Sequence, residues 1–219
     1  MFNNNQIQEV KTIKILGVTF ENDFSYRTHI NEVKSKCERK VGLLSRLRHY
    51  LPQFALSRLY KYTIEPSITY CPNIWSFSAA SHIQPLINLQ KRAARLISFK
   101  STRHSSEPLF LELKWQPITI IWNYHAMSMI NKCLVNCCPE GITQIFKYKE
   151  LPSRQMTHRS ETNFDNYLVC CFTEFNKRFP ANLFSKGCEF FNKLDIDLRS
   201  SESLSHFKKH FKLQHFINV

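Results

Sequence analysis

The sequence predicts a mainly α fold, with a short β-hairpin at its start and a small mixed region at its end, on three observations. Residues 25–51 place apolar side chains at steps of three and four, the period of an amphipathic helix. Only 4 Gly stand against 9 Pro, too few for a sandwich of many tight hairpins, and no Gly-rich phosphate loop is present. Hydrophobic residues at 43% and aromatics at 13%, with 18 Phe, are ample for a packed interior, and 219 residues can bury one main core with a smaller appendage.

Taken in order, the chain opens on a polar, Asn-rich lead without the apolar run of a signal peptide. KTIKILGVTFEN follows, in which Ile13, Ile15, Val18 and Phe20 read as strand residues turned or bulged around Gly17. Two strands alone are marginal in water, so this hairpin needs a neighbour to pack on. The long helix, residues 25–51, buries a stripe of Ile30, Val33, Cys37, Val41, Leu44, Leu47 and Leu51. Ser25 is its expected N-cap, and Pro52 ends it by restricting Leu51 and supplying no amide. A second helix from Pro52 has Phe54, Leu56, Leu59, Tyr60 and Ile64 available for packing, with Pro66 as a kink or end.

ITYCPNIW reads as an aromatic linker. Residues 82–99 make a third helix with Leu86, Leu89, Ala93, Leu96 and Ile97 inward and Lys91, Arg92 and Arg95 outward. Leu109 to Leu113 is a short helix closing on Trp115, and Pro117 opens a long apolar helix to about Cys137 whose Met, Trp and Tyr fill a core. Beyond Pro139, PEGITQIFKYK is expected as a short helix, and LPSRQMTHRSETNFDN as a polar linker. YLVCCF and ANLFSKG are β-prone. The tail SESLSHFKKHFKLQHFI regains helical spacing through Leu204, Phe207 and Phe211, capped by Ser201 or Ser203. The resulting segments are 1–24, 25–104, 105–150 and 151–219.

Formal charge is +13, and its distribution says more than its size. Residues 25–104 hold 14 basic and 3 acidic side chains, or +11, while residues 1–24 carry −1 and residues 105–219 carry +3. A solubility bias would be spread out, whereas a surface for a polyanion concentrates charge. Lys36, Arg39, Lys40 and Arg46 on the first helix, with Lys91, Arg92 and Arg95 on the third, are the candidate nucleic-acid-binding residues. Apolar runs of a few residues fall far short of the roughly 20 that span a bilayer, so no membrane partner is expected.

Catalytic chemistry finds no constellation. A polymerase or nuclease needs clustered carboxylates to hold two Mg²⁺ ions, and Asp195 and Asp197 have no third carboxylate near them in sequence. There is no GxSxG, Walker loop or HExxH. The 8 Cys include Cys133, Cys137 and Cys138 as CxxxCC, and Cys170 beside Cys171, but no CxxC pair. Zinc ligand spacing is therefore lacking, and buried thiols that pack as small hydrophobes are expected, with no metal and no cofactor. An intracellular setting is expected, with no choice between nucleus and cytoplasm.

KILGVTFEN, HINEVKSKCERKVGLLSRLRHYLP, ALSRLYKYTIEPSITYCPNIW, LQKRAARLI and PLFLELKWQPI, in that order, closed by SLSHFKKHFK, resemble the region after the catalytic palm in reverse transcriptases of non-LTR (LINE-type, jockey-like) retrotransposons. The resemblance runs from about Lys14 to Lys212. It implies that Ile13 to Phe20 match the hairpin that supports the primer end, and that residues 25–100 match a thumb-like helical bundle gripping template and primer. It also implies that the family's catalytic aspartates lie upstream of Leu16, outside this sequence, in a palm domain of a longer product. The expectation is a truncated C-terminal piece that binds RNA, DNA or an RNA:DNA duplex without sequence selectivity and does not polymerise alone. A helical protein-interaction module and a non-functional retroelement remnant stand as the alternatives.

Overall fold

The computed structural model describes residues 10–148, 168–170 and 182–216. The fold is mainly α, and no described helix is long and apolar enough to cross a membrane. Strands β1 (Thr12–Ile15) and β2 (Val18–Glu21) pair antiparallel, with Thr12 opposite Glu21 and Ile15 opposite Val18. Their two-residue turn has Leu16 at φ 46° and Gly17 at φ 83°, the left-handed pair that a tight hairpin requires. The Tyr70 hydroxyl donates to the Leu16 carbonyl at 2.8 Å, tying the turn to the helical body. Val18 and Thr19 are buried while the whole of β1 stays exposed, so β2 has the neighbour the hairpin needs and β1 is its outer edge.

Helix α1 (Arg27–Leu47) buries Ile30, Val33, Cys37, Val41 and Leu44, as its period predicts. Its N-terminus differs from expectation. Tyr26, at φ 54°, holds the cap position without a side-chain bond. The Ser25 hydroxyl accepts from the Arg27 amide only at the long distance of 3.5 Å and donates to Glu21, whose carboxylate accepts from the Thr28 amide at 3.3 Å and from the Thr28 hydroxyl. The orphan amide is thus satisfied from β2, because the hairpin brings a carboxylate to the positive end of the helix.

After Pro52, α2 (Gln53–Leu59) runs through a π turn (Tyr60–Ile64) into α3 (Glu65–Ile68). Leu56, Tyr60, Ile64 and Ile68 are all 0% exposed. A four-residue repeat would drift about 40° per step around a regular helix. The wider π turn, marked by the Glu65 amide reaching the Tyr60 carbonyl, keeps the stripe in line. Pro66 lacks an amide for the regular ladder, and it sits in the first turn of α3, just after the widened stretch, rather than ending the helix.

The aromatic linker proves to be helical. Here α4 (Pro72–Trp75) begins after Cys71 at φ 45° and buries Trp75, whose Nε1 donates to the Tyr70 carbonyl at 3.0 Å. Helix α5 (Ala80–Ile97) buries the expected Leu86, Leu89, Ala93, Leu96 and Ile97 and packs along α1. Helix α6 (Glu107–Leu113) ends at Lys114, φ 51°, which turns Trp115 inward onto Tyr60 at 3.8 Å between rings; the Trp115 Nε1 donates to Ser57 at 2.9 Å.

Helix α7 (Ile118–Leu134) joins two cores. Its Ile118 and Trp122 belong to the first, with α1, α5 and the tryptophans. Ala126, Met127, Ile130 and Cys133 belong to the second, with Phe77, Phe146, Leu168, Phe191, Phe207 and Phe211. The second core corrects two expectations. Only Glu140–Thr143 of PEGITQIFKYK is helical (α8), and Phe146–Tyr148 is strand β3, paired antiparallel with β4 (Leu168–Cys170). Leu183–Gly187 of the β-prone ANLFSKG is a π turn leading into α9 (Cys188–Asn192). Asn192 brackets Leu168, donating to its carbonyl at 2.9 Å and accepting from its amide at 2.8 Å, so a side chain of α9 fixes β4. Then come α10 (Ile196–Arg199) and α11 (Leu204–His215), the latter capped by the Ser203 hydroxyl accepting from the His206 amide at 3.2 Å. The Asn-rich lead and the polar linker after Leu151 lie outside the described residues.

Candidate nucleic-acid interface

On α1 the core stripe fixes where every other side chain points. Arg39 and Arg46, seven residues apart, fall opposite the stripe and form an exposed crest, with Lys36 exposed on one shoulder. Among the described residues Lys36, Arg39 and Arg46 form no ion pair, whereas Lys34 on the other shoulder meets Glu38 at 3.7 Å. Lys40 is partly committed, since its Nζ donates to the Ser67 hydroxyl at 2.7 Å and to the Thr63 carbonyl. It fastens α1 to the π turn.

The candidates on α5 do not fall on one strip. Arg92 is exposed on the side facing α1, where it lines a groove of about 270 Å³ with Lys34, Glu38 and Asn88. Lys91 and Arg95 are half-buried on the side turned away, and the Arg95 guanidinium donates to the His104 carbonyl at 2.7 Å. The structure therefore places Lys36, Arg39 and Arg46 on the outer side of α1, sets Arg92 across a groove from Lys34 and Glu38 on the other shoulder, and directs Lys91 and Arg95 elsewhere.

Sequence reasoning missed an exposed aromatic stripe. Phe54 was expected to pack, yet it is 64% exposed, and Tyr62 is 78% exposed. Between them Arg58 lies over the Phe54 ring at 5.9 Å. Their i, i+4, i+8 spacing was the available signal, because it mirrors the buried Leu56, Tyr60, Ile64 repeat on the opposite side. No acidic residue occurs from Gln53 to Ile64.

Elsewhere the chemistry is sparse. Among the described residues no three His, Cys, Asp or Glu side chains gather as metal ligands. Asp195 stands at the N-cap position of α10 without a side-chain capping bond and Asp197 lies in its first turn, both exposed at a helix start rather than aligned on a strand. Cys37, Cys133 and Cys188 are buried thiols. The Cys133 thiol, pushed up to about 12 by burial and by the Cys138 sulfur 3.5 Å away, stays protonated. Comparison with family models, with curated proteins and with solved structures finds no match.

Proposed function

We propose that this chain binds nucleic acid by its sugar-phosphate backbone, as the thumb-like C-terminal portion of a non-LTR retrotransposon reverse transcriptase, and does not polymerise by itself. The observation that supports this reading is the unpaired crest of Arg39 and Arg46, within a segment of charge +11. Backbone contacts release counterions, so affinity falls with log salt by about 0.9 per neutralised phosphate on B-form DNA, and they position a duplex without reading its bases. RNA, DNA and RNA:DNA duplexes are all ligands on this reading.

The test is a salt titration with an RNA:DNA hybrid. Replacing Arg39 and Arg46 by Ala should weaken binding across all sequences and flatten the slope by up to about one unit per lost contact. Replacing the exposed Lys132 and Lys209 removes the same charge elsewhere. Equal losses from the two double variants would reduce the effect to net charge and end the proposal. A protein partner is the second reading, favoured by the exposed Ile13, Ile15 and Leu16 of the hairpin; an acidic polypeptide competing as well as the hybrid would favour it.

A further inference from the structure

We propose that the outer face of α2 and the π turn is a stacking site for single-stranded nucleic acid, separate from the duplex-binding crest of α1. The inference rests on the nucleic-acid reading and adds a second ligand form to it. Large aromatic rings are costly to leave in water, and an exposed apolar patch marks a surface with a partner. Phe54 and Tyr62 are 64% and 78% exposed, and Tyr50, four residues before Phe54 in the turn that follows α1, is 84% exposed. None of these rings is needed by either core, whose buried side of α2 is Leu56, Tyr60 and Ile64.

The company of the rings selects the partner. Arg58 lies between them over the Phe54 ring, and Lys61 beside them donates to the Lys114 carbonyl at 3.4 Å; no acidic residue occurs in sequence from Gln53 to Ile64, and the Glu112 carboxylate meets this stretch at Gln53. An apolar protein surface offers nothing to these cations, and an acidic one offers little to the rings. Single-stranded nucleic acid answers both, because its bases present π-faces and its phosphates meet the cations. A duplex cannot, since its base faces are already stacked on each other. Along the helix axis Phe54 and Tyr62 stand about 12 Å apart, the span of roughly three to four nucleotides at about 3.4 Å per step.

The π turn maintains the site. It lies between Arg58 and Tyr62 and reduces the drift that a regular helix would give to that step, which agrees with the tendency of such turns to occur at functional positions. Lys40, bonded to Thr63 and Ser67, sets the Lys36 shoulder of α1 against the segment that bears Tyr62. A strand leaving a duplex on the α1 crest thus has a stacking surface beside it.

Fluorescence anisotropy with the full chain tests this, using labelled oligo(dT) and a blunt RNA:DNA hybrid as probes. The Phe54→Ala/Tyr62→Ala variant should lose about tenfold or more in oligo(dT) affinity and change less than about twofold on the hybrid. The Phe54→Leu/Tyr62→Leu variant, which keeps apolar area but removes the rings, should lose as much. Unchanged oligo(dT) binding in the Ala variant, or recovery in the Leu variant, overturns the stacking site and leaves the backbone reading intact. Failure of the wild-type chain to bind either probe overturns both. Since the substituted rings are exposed, unchanged far-ultraviolet circular dichroism is expected in each variant.

Discussion

The two cores that share α7 are built in different ways. The first takes its residues from α1, α5 and the α2–α3 stretch, where each element runs long enough to repeat a buried stripe several times. The second takes Phe146, Leu168 and Phe191 from elements of three to five residues, β3, β4 and α9. A stripe of many turns defines its own helix. Three residues cannot express a period, so their conformation is decided by what they pack on.

The sharpest test of this division is to open a cavity in each core. Trp115, fully buried and stacked on Tyr60, and Phe207, fully buried beside Phe191, should each cost about 3–5 kcal/mol when replaced by Ala. All 3 Trp lie in the first core, so tryptophan fluorescence reports that core while circular dichroism reports the helices of both. Because α7 contributes to both cores, Phe207→Ala should move the fluorescence midpoint in urea together with the dichroism midpoint. A fluorescence midpoint that stays at the wild-type value would make the cores independent.

A second, smaller effect starts in the first core. His29 is buried between the Thr19 amide, 3.4 Å from its Nδ1, and the Trp75 ring. Burial holds its imidazole below the ordinary range, with Lys14 and Lys36 adding to the effect and Glu32 opposing it. The unfolded chain therefore takes up the proton first as pH falls. Stability is complete above about 6.5 and declines below it until the folded imidazole also titrates, by at most about 1.4 kcal/mol per pH unit. His125 on α7 contributes with the same sign, through burial and Lys208. Urea midpoints at pH 7 and pH 5.5 should thus differ less in His29→Gln than in the wild type; an equal difference would remove His29 from the account.

How much was legible follows from the same contrast. The stripes of α1 and α5 were readable because Ile30 to Leu44 and Leu86 to Ile97 repeat at the helical period, and the Ser203 cap because it is local to its helix. The helical state of Leu183–Gly187 was not, since Leu and Phe suit either state until the neighbouring core is known. At the candidate interface, Arg39 and Arg46 were readable as outward because they lie opposite a stripe. Lys40 and Arg95 were not readable as engaged, because their acceptors, Thr63, Ser67 and His104, come from other segments. Phe54 was misplaced because a ring on a helix is expected inward, and the π turn that aligns it with Tyr62 leaves only a four-residue repeat as its signature.

Helix starts give the finest version of the comparison. In α11 the cap is local: Ser203 precedes its own helix and accepts from His206, so Ser203→Ala should cost about 1 kcal/mol. In α1 the cap is supplied from a strand, through Glu21. Burial alone would raise that carboxyl, but hydrogen bonds from Thr28 and Ser25 outweigh it and hold it below its usual value. Glu21→Ala should therefore cost about 1 kcal/mol as well, while Ser25→Ala, whose hydroxyl steadies the carboxylate and accepts from the Arg27 amide only at 3.5 Å, should cost about half of that or less. Glu21→Gln keeps an acceptor for the Thr28 amide and removes the charge, so it should fall between the two. Because the folded value is depressed, the wild-type advantage is present above about pH 4.3 and is lost as pH falls through the folded value, and Glu21→Gln should lack that acid slope. Urea unfolding of the four variants decides the matter, and a Ser25→Ala loss as large as that of Glu21→Ala would return the cap of α1 to its own sequence.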